Sequence, residues 1–562
     1  MEKISASISE TVKNLFSLDV EINLTRPDPK FGDYATNVAL VLAKSLGKNP
    51  REIAEQIAVE LKKQDIFSSV EIAGAGFINM RLADAYLIRE LGGILENPDN
   101  YGRPNTYKNK VVVTEYSDPN PFKVLHVGHL YTSIVGDAIS NLIELSGGEV
   151  HRVNFGGDVG LHVAKTMWAI VENLDGENPE KLAEIPANKR SEWMGEQYVI
   201  GTRAYEDSLE AKSAIIENNK KIYAIQKNDD HESPLAQIYW ICRQWSYDYF
   251  NAFYKRIGTK FEKYYPESET AEIGLETVIE QRDKGVYQDS NGAIVFDGES
   301  YGLHTRVFVN SEGLPTYEAK DVGLSIKKWQ DYEFDQSVII TGNDIIEYMK
   351  VVLKSIEQFA PKLSERTLHF THGNVKLAGA VKMSSRKGNF LRAVDVIDMV
   401  ADEYKKAQDK ADDAAVLGAI KYAFLKNRLG ADLIFEPRES VNMTGNSGSY
   451  LQYSHARARS ILRKVNVAVS ENVATDFDEF ERLLIVKLTE WPEVLGVSVS
   501  ELTPHTICSY LYELTQTFNR FYENSHVAGD PRVNIRARLV TAYAEILRIG
   551  LTILGITAPD RM

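Results

Sequence analysis

Cysteine is scarce in this chain, and its scarcity excludes two kinds of site. The 562 residues include only Cys242 and Cys508. Two thiols so far apart in sequence form neither a disulfide framework nor a multi-cysteine zinc site. We therefore expect a protein of a reducing compartment, with no structural metal and no zinc.

Long apolar runs are also missing. No stretch approaches the roughly 18 consecutive apolar residues that a membrane-spanning helix needs. The first residues, MEKISASISETVKNLFSL, are mixed polar and lack the apolar core of a signal peptide. These absences predict a cytoplasmic protein without a membrane partner.

Basic charge is in deficit. The chain carries 64 Lys and Arg against 79 Asp and Glu, a net charge of −15. Because affinity for phosphate comes from lysine and arginine, this balance argues against a protein that coats nucleic acid. It leaves room for a local basic surface that docks one shaped RNA.

What is present indicates a large globular protein of several domains. Residues 1–106 combine helical spacing with two short strands around Gly74 to Gly76, which is typical of a small α+β module. Residues 107–405 are expected to form an α/β domain, with a charged, mostly helical insertion at about 165–290. Residues 406–562 have helical periodicity almost throughout, which predicts a helical bundle.

The central unit opens with a pattern typical of a parallel sheet. The apolar run KVVVTEYS precedes a proline-rich loop, a helical segment and a second strand, VHRVNF. Strand, helix and strand in this order form a βαβ unit, which predicts a doubly wound parallel sheet. The fold class is therefore multidomain α/β plus all-α.

The first candidate site is His126-Val127-Gly128-His129, where the first strand and its loop turn into a helix. A helix N-terminus presents free N–H groups and partial positive charge to a phosphate. Two imidazoles one turn apart can donate hydrogen bonds to phosphate oxygens as charge accumulates, and Gly128 leaves room for a flat base. The alternative is two unrelated histidines at a helix start, one of them a cap.

The second candidate site is the segment Lys382-Met383-Ser384-Ser385-Arg386-Lys387-Gly388-Asn389. Three cations, two hydroxyls and a glycine suit a loop that closes over a triphosphate and offsets charge on the leaving pyrophosphate. The alternative is a solvated basic turn.

Together the two segments resemble the paired ATP-binding motifs, HIGH and KMSKS, of class I aminoacyl-tRNA synthetases. The flanks, SDPNPFK and RVNFGGD, resemble those of arginyl-tRNA synthetases. Further similarity to that family covers its N-terminal added domain (GDYATNVALVLAKSLGKNPREIAEQIA, GAGFINMRL) and its helical anticodon-binding domain (GSYLQYSHARARSILRK, LGITAPDRM). The resemblance implies a Rossmann-type catalytic domain that activates L-arginine with ATP and Mg²⁺ and transfers it to tRNA(Arg).

The resemblance also assigns roles to individual residues. It implies catalysis by His126, His129, Lys123, Lys382 and Lys387, and ATP binding by Gly128, His126, His129, Met383, Ser384 and Ser385. It implies arginine binding by Asn120, Tyr317, Asp321 and Glu267. It implies tRNA binding by Tyr450, Tyr453, Arg457, Tyr522 and Met562 in the helical domain, and by Phe77 and Asn79 in the N-terminal module.

Physical chemistry agrees with the expected substrates. A guanidinium needs acidic or carbonyl acceptors. The resemblance implies that Tyr317 and Asp321, one helical turn apart, supply a hydroxyl and a carboxylate on the guanidinium side. Without the resemblance, these two would be interpreted as a helix surface pair. Aromatic rings and a guanidinium at helical spacing, as in Tyr450, Tyr453 and Arg457, suit the splayed bases of an anticodon loop. The alternative is an aromatic core stripe, which applies to Tyr453 and Tyr522.

The chain departs from the family pattern in several places. Val159, His162 and Tyr131 replace residues common in the family, and either Asn343 or Asp344 would supply a contact that relatives make through glutamine. These changes suggest a divergent branch.

One departure bears on mechanism. The second lysine of KMSKS aligns with Ser385, and the resemblance implies that a lysine three positions before the first histidine compensates. Lys123 occupies that position. We therefore expect Lys123 and Lys382 to carry most of the cationic stabilisation, with Lys387 assisting.

The chemistry implied is attack of the arginine carboxylate on the α-phosphorus of ATP, followed by transfer to the 3′-terminal adenosine of tRNA, with tRNA bound before the first step. We expect a monomer. A synthetase for another amino acid and a non-catalytic tRNA-binding paralogue are the rival interpretations. The intact His126, Gly128, His129 and Lys382 argue against the paralogue.

Overall fold

The computed structural model describes residues 2–378, 391–408, 412–465 and 476–562. They form an N-terminal α+β module, a central α/β domain and a C-terminal helical bundle, as the sequence predicts. No helix within these residues is long and apolar enough to cross a membrane.

The N-terminal module packs helices on one antiparallel sheet. Its elements are α1 (Glu2–Phe16), β1 (Leu24–Thr25), β2 (Tyr34–Thr36), α2 (Val38–Leu46), α3 (Pro50–Leu61), β3 (Phe67–Ala73), β4 (Phe77–Leu82) and α4 (Asp84–Glu96). The strand order is β1-β2-β4-β3. Asn49 caps α3 by accepting a hydrogen bond from the Arg51 amide at 2.9 Å. The β3–β4 turn needs glycine, since Gly74 has a φ of +56° and Gly76 a φ of +139°.

The central domain is organised around one parallel sheet of five strands, accompanied by two smaller sheets. Its strands are β5 (Val111–Glu115), β6 (Glu149–Gly156), β7 (Lys263–Pro266), β8 (Gln288–Ser290), β9 (Ala293–Phe296), β10 (Arg306–Val309), β11 (Gln336–Gly342), β12 (Thr367–His372), β13 (Val375–Leu377) and β14 (Leu433–Phe435). The parallel sheet has the order β12-β11-β5-β6-β7. Val112 and Val113 in its central strand are fully buried, which explains why this strand is apolar on both faces.

The helices of this domain cover both faces of the sheet. They are α5 (Val127–Leu145), α6 (Leu161–Asn173), α7 (Arg190–Asp207), α8 (Leu209–Lys227), α9 (Pro234–Ile257), α10 (Glu267–Asp283), α11 (Tyr317–Tyr332), α12 (Ile346–Phe359), α13 (Pro361–Glu365), α14 (Ala393–Gln408), α15 (Asp413–Leu425) and α16 (Pro437–Ser440). The strand order reverses between β5 and β11. In such sheets ligands bind outside the carboxyl ends of the strands at the point of reversal.

The helical insertion is shorter than the expected 165–290. Helices α6 to α9 interrupt the sheet, which resumes at Lys263 with β7. This edge strand, KYYP, is short and shows no alternation of polar and apolar residues, so periodicity does not reveal it. The apolar runs GAIVFDG and HTRVFVN also form strands, but they lie in a separate antiparallel sheet of order β10-β9-β8.

The C-terminal bundle confirms the helical periodicity of the sequence. Its helices are α17 (Gly448–Lys464), α18 (Glu479–Leu488), α19 (Trp491–Glu501), α20 (Pro504–Asn524) and α21 (Val533–Ile553). Phe518 and Tyr543 stack at 3.8 Å in its core. Strand β14 lies beyond the expected limit at residue 405 and pairs in parallel with β13 of the central domain. The domain limits 106 and 405 remain a prediction.

Candidate active site

The first candidate motif forms the N-terminus of α5, and both of its histidines cap that helix. The Gly128 amide donates to His126 Nδ1 and the His126 amide donates to His129 Nδ1, each at 3.1 Å. The two rings stack with centroids 3.7 Å apart. Capping and phosphate binding are therefore compatible, since each cap uses only one ring nitrogen.

The protonation of this pair follows from its contacts. Burial lowers the pKa of His126 to about 4 and the pKa of His129 well below its usual value, so both rings are neutral at pH 7. Because each Nδ1 accepts a hydrogen bond, each proton resides on Nε2. The two Nε2–H groups are then donors for phosphate oxygens.

Gly128 has a second reason to be glycine. A Cβ at this position would lie 2.8 Å from ring atoms of His126. A larger residue would displace the capping ring. The glycine expected to admit a flat base thus also admits the His126 imidazole.

The loop between β5 and α5 carries Lys123 in a restricted backbone. Ser117, Asp118 and Phe122 have φ values of +74°, +47° and +65°, a region that non-glycine residues rarely adopt. The Lys123 ammonium lies 4.5 Å from the centre of the Tyr198 ring. Burial lowers the pKa of Lys123 to about 8, against the opposing effect of Glu267.

Two of the predicted arginine-binding residues meet at Gly157, which follows β6. Asn120 Oδ1 accepts from the Gly157 amide at 2.8 Å. A Cβ on Gly157 would lie 2.8 Å from Asn120 Oδ1 and 2.9 Å from Glu267 Oε1. Asn120 follows β5 and Glu267 follows β7, so loops after three neighbouring strands converge at this point.

Glu267 is buried and already paired. The Lys320 ammonium lies 2.6 Å from Glu267 Oε2, while Oε1 faces Gly157. Burial raises the pKa of Glu267, and the nearby ammonium opposes that shift. One carboxylate oxygen is therefore held by the protein and the other lies toward Asn120.

Tyr317 and Asp321 lie one turn apart on α11, as expected, and differ in burial. Tyr317 is 54% exposed, and its hydroxyl lies 3.5 Å from His162 Nδ1. Asp321 accepts a hydrogen bond from the Tyr348 hydroxyl. Burial raises the pKa of Asp321 to about 8, with a contribution from Glu267. Asp321 is half-buried, whereas Tyr317 is exposed.

Asp118 adds a further carboxylate to this side of the crevice. Burial raises its pKa well above the usual value, and Asp321 contributes to that shift. Its Oδ1 accepts from the Phe155 amide at 2.8 Å. Asp118, Glu267 and Asp321 together make a region in which a cationic ligand would be stabilised.

The second motif falls outside the described residues. This applies to Lys382, Met383, Ser384, Ser385 and Lys387. The chain that follows them is anchored beside the first motif: the Val127 amide donates to the Leu391 carbonyl, and the Ala393 amide donates to the Leu125 carbonyl, each at 2.9 Å.

The two residues offered for the missing glutamine contact behave differently. Asn343 donates to the Gly430 carbonyl at 2.7 Å. Asp344 lies close enough to His126 and His372 to oppose the lowering of their pKa values. Asp344 therefore lies on the side of the histidine pair, whereas the Asn343 amide is engaged by the backbone.

The predicted tRNA-binding residues of the bundle form an exposed platform on α17 and α20. Tyr453 and Tyr522 are 39% and 42% exposed, so their interpretation as a core stripe is wrong. The Arg457 guanidinium lies 4.9 Å from the Tyr453 ring centre and 5.5 Å from that of Tyr522. Tyr450 is half-buried, and its hydroxyl accepts from Asn519 at 2.6 Å.

The remaining predicted tRNA contacts lie elsewhere. Met562 is exposed beyond a tail that His455 and Arg459 hold at Pro559 and Asp560. In the N-terminal module, the exposed Phe77 and the half-buried Asn79 occupy alternate positions of β4. They therefore face the same side of the sheet.

Models of known protein families match almost the whole chain. The arginyl tRNA synthetase N terminal domain matches residues 2–82, the class I (R) tRNA synthetase catalytic domain matches 90–436, and the DALR anticodon binding domain matches 451–562. The catalytic model alone spans more than half of the chain. The chain belongs to the arginyl-tRNA synthetase family.

Relatives within this family align along most of their length. An arginine–tRNA ligase of Porphyromonas gingivalis is 28% identical over 100% of both chains, and one of Treponema denticola is 30% identical over 90% of this chain and 88% of its own. The arginyl-tRNA synthetase of Thermus thermophilus shares the fold, with a TM-score of 0.78 and 23% identity over 100% of both chains. The resemblance inferred from the sequence motifs is thus confirmed.

Several residues of the site were not anticipated from the sequence. Lys320 lies between the two residues chosen on α11, and a lysine inside a pattern of buried positions is the signal that would have found it. His162, noted only as a departure, donates through Nε2 to the Gly157 carbonyl at 2.7 Å. Tyr198 has no local signal, because its partner Lys123 is distant in sequence.

Proposed function

We propose that this chain joins L-arginine to tRNA(Arg), converting ATP to AMP and pyrophosphate. The observation that carries the proposal is the convergence at the sheet's point of reversal. There, two Nε2–H donors at a helix N-terminus lie beside a region of carboxylates, in which Glu267 is buried and Asp118 and Asp321 are half-buried. The first set suits a triphosphate and the second suits a guanidinium.

In the first step an oxygen of the arginine carboxylate attacks the α-phosphorus of ATP, and the bond to the bridging oxygen of pyrophosphate breaks. His126 and His129 donate to phosphate oxygens as charge builds on them, and Lys123 offsets charge on the leaving group. The chain needs no protein nucleophile, since positioning and electrostatics suffice for such a transfer. The products are arginyl-adenylate and pyrophosphate.

Arginine recognition is assigned to the residues around Gly157. Asn120 and the free oxygen of Glu267 face the substrate's polar groups, while Tyr317 and Asp321 supply a hydroxyl and a carboxylate for the guanidinium. A neutral amino acid offers Asp321 no cation and therefore gains none of this charge-assisted hydrogen bonding. Discrimination against it follows from that difference in binding.

In the second step a hydroxyl of the 3′-terminal adenosine of tRNA attacks the acyl carbon, and AMP leaves with the bonding electron pair. Tyr450, Tyr453, Arg457, Tyr522 and Met562 are proposed to meet the anticodon loop, and Phe77 and Asn79 another part of the tRNA. Bound tRNA is proposed to be required for the first step.

Three further assignments belong to the same proposal. ATP enters as its magnesium complex, with the ion held mainly by phosphates and water. Lys382 and Lys387 act on the phosphates from the second motif. The protein works as a monomer in the cytoplasm.

Charging of tRNA tests the proposal. Purified chain is incubated with ATP, tRNA(Arg) transcript and each labelled amino acid in turn, and aminoacylated tRNA is counted. Only arginine should be incorporated, and His129→Ala should abolish the incorporation while tRNA binding persists. Incorporation of another amino acid would establish the sister-synthetase interpretation. Folded chain that binds tRNA but charges nothing would establish the paralogue.

A further inference from the structure

Helix α7 of the insertion packs directly on the loop that carries Lys123. Gly195 makes this approach possible, because a Cβ there would lie 3.0 Å from Val124 Cγ1. One turn further along α7, the Tyr198 ring faces the Lys123 ammonium at 4.5 Å. The insertion therefore contacts the loop at two consecutive residues.

Other residues of the insertion hold the same loop in its unusual backbone conformation. The Phe122 amide donates to Ser246 Oγ at 2.9 Å, and the Phe122 ring stacks on Tyr239 at 5.6 Å. The Ser117 hydroxyl lies 2.8 Å from that of Tyr254. These three partners belong to α9, so α7 and α9 together fix the path of the loop.

The surroundings of Lys123 explain why an aromatic ring matters there. Its neighbours include the imidazoles of His126, His129 and His162, which are neutral at pH 7 and do not offset its charge. The nearby Glu267 carboxylate is already paired with Lys320. An aromatic face attracts a cation through its quadrupole without neutralising it. A full ion pair would instead cancel the charge that the leaving group needs.

We propose that Tyr198 is a positioning residue for Lys123, so that the helical insertion sets the rate of amino-acid activation through this ring. The proposal rests on the proposed function, in which Lys123 stabilises the leaving pyrophosphate. The ring holds the ammonium over the crevice before ATP arrives. The Tyr198 hydroxyl has no part in this role.

The test uses the full-length chain and arginine-dependent ATP–pyrophosphate exchange in the presence of tRNA(Arg). Tyr198→Phe keeps the ring, whereas Tyr198→Leu replaces it with a smaller apolar side chain. A cation–π contact at a desolvated site predicts a loss of about 3- to 30-fold in kcat for Tyr198→Leu. Tyr198→Phe should stay close to the parent, and KM for arginine should not change in either variant.

A double-mutant cycle separates positioning from simple structural damage. If the ring acts through Lys123, Tyr198→Leu should cause no further loss in a Lys123→Ala background. Tyr205→Leu is the matched control on the same helix, since that ring lies 4.4 Å from the Lys165 ammonium instead. It should leave the exchange rate unchanged.

Several results would contradict the positioning role of Tyr198. Equal losses in the Phe and Leu variants, an additive loss in the Lys123→Ala background, or no loss in Tyr198→Leu would overturn the role of the ring. An unchanged rate in Lys123→Ala alone would also overturn the role of the ring, because Lys123 would then make no contribution to the rate that its position could affect. Failure of the proposed function is recognised separately, by the absence of arginine-dependent exchange in the parent chain.

Discussion

At the scale of single residues, burial sets the protonation of the crevice, and acids and bases respond in opposite directions. It lowers the pKa of His126 to about 4 and that of Lys123 to about 8, and raises that of Asp321 to about 8. The histidine donors are thus neutral at pH 7, whereas Lys123 is mostly charged and Asp321 mostly protonated. Ligands of either charge should therefore change proton occupancy when they bind.

Lys123→Ala tests the lysine assignment. Loss of a preorganised charge at the leaving group should lower the exchange rate about 100-fold, while the dissociation constant for arginine changes little. Exchange kinetics and equilibrium dialysis measure the two quantities. Lys13→Ala, which removes an exposed lysine paired with Asp19, is the control. An unchanged exchange rate would remove Lys123 from the mechanism.

The lowered pKa of Lys123 predicts that activity falls at alkaline pH. Because the pKa of Lys123 is lowered to about 8, its charge is lost as pH rises through that value, and kcat/KM for ATP should fall accordingly. Glu267, His126, His129 and His162 face this ammonium. Lys123→Arg keeps its proton over the whole range, so its pH profile should lack this fall. An identical fall in both proteins would contradict the assignment.

The raised pKa of Asp321 predicts that a proton is released when arginine binds. A guanidinium beside the carboxylate favours its ionised form, so a pKa of about 8 in the free protein should fall on binding. Arginine affinity should therefore rise with pH up to about 8. Calorimetry in two buffers of different ionisation enthalpy counts the released protons at pH 7. Asp321→Asn should reduce the release without abolishing it, because the pKa values of Asp118 and Glu267 are also raised, and the surface variant Glu347→Gln should retain it in full.

At the scale of elements, the platform of Tyr453, Arg457 and Tyr522 joins two helices of the bundle. Its rings are exposed, and its guanidinium lies near both of them. Such a surface can stack on the bases of a single-stranded RNA with little preference for nucleotide sequence. Tyr453→Ala should weaken tRNA(Arg) binding by about 1–3 kcal/mol, measured by filter binding. Tyr301→Ala, which removes another exposed tyrosine, should not, and equal effects of the two would contradict the platform.

The elements themselves were largely predictable from local chemistry. The Asn49–Pro50 start of α3, the glycine turn of the β3–β4 hairpin and the helices of the bundle follow from caps, turns and a 3.6-residue period. Strand β7 was missed because four residues carry too little periodicity. The antiparallel association of β8 to β10 was also missed, since pairing depends on partners that a single run does not specify.

The candidate site was predictable only where a motif marked it. His126, His129, Asn120 and Tyr317 stand in recognisable segments, and the fold brings them to one edge of the sheet. The pairing of Lys320 with Glu267 depends on the packing of α11 against α10, which no local pattern encodes. Such contacts between distant segments appear only once the topology is known.

At the scale of the whole molecule, ion pairs fasten the N-terminal module to the bundle. Arg26 reaches Glu493 at 2.8 Å, and Arg482 reaches Asp33 at 2.7 Å and Asp84 at 2.6 Å. Partners separated by hundreds of residues cannot be identified from a single sequence. Their effect is to fix the two proposed tRNA-binding surfaces relative to each other.

Arg482→Ala tests this attachment. Removing one member of a mostly buried ion-pair cluster leaves its carboxylates unpaired, which should destabilise the chain by about 2–3 kcal/mol and lower the midpoint of thermal unfolding. Arg51→Ala breaks only exposed contacts, the pair with Glu55 and a hydrogen bond to the Gly74 carbonyl at 3.4 Å, and should change stability by less than about 0.5 kcal/mol. A midpoint unchanged in Arg482→Ala would show that the module is held by other contacts.

ATP–pyrophosphate exchange with a panel of amino acids, measured with and without tRNA(Arg), tests both the substrate of the chain and its dependence on tRNA. We predict exchange with arginine alone among the amino acids, and only when tRNA is present. Exchange with arginine in the absence of tRNA would keep the substrate and contradict the coupling. Exchange with a different amino acid, or with none, in folded protein that binds tRNA would show that the chain does not activate arginine.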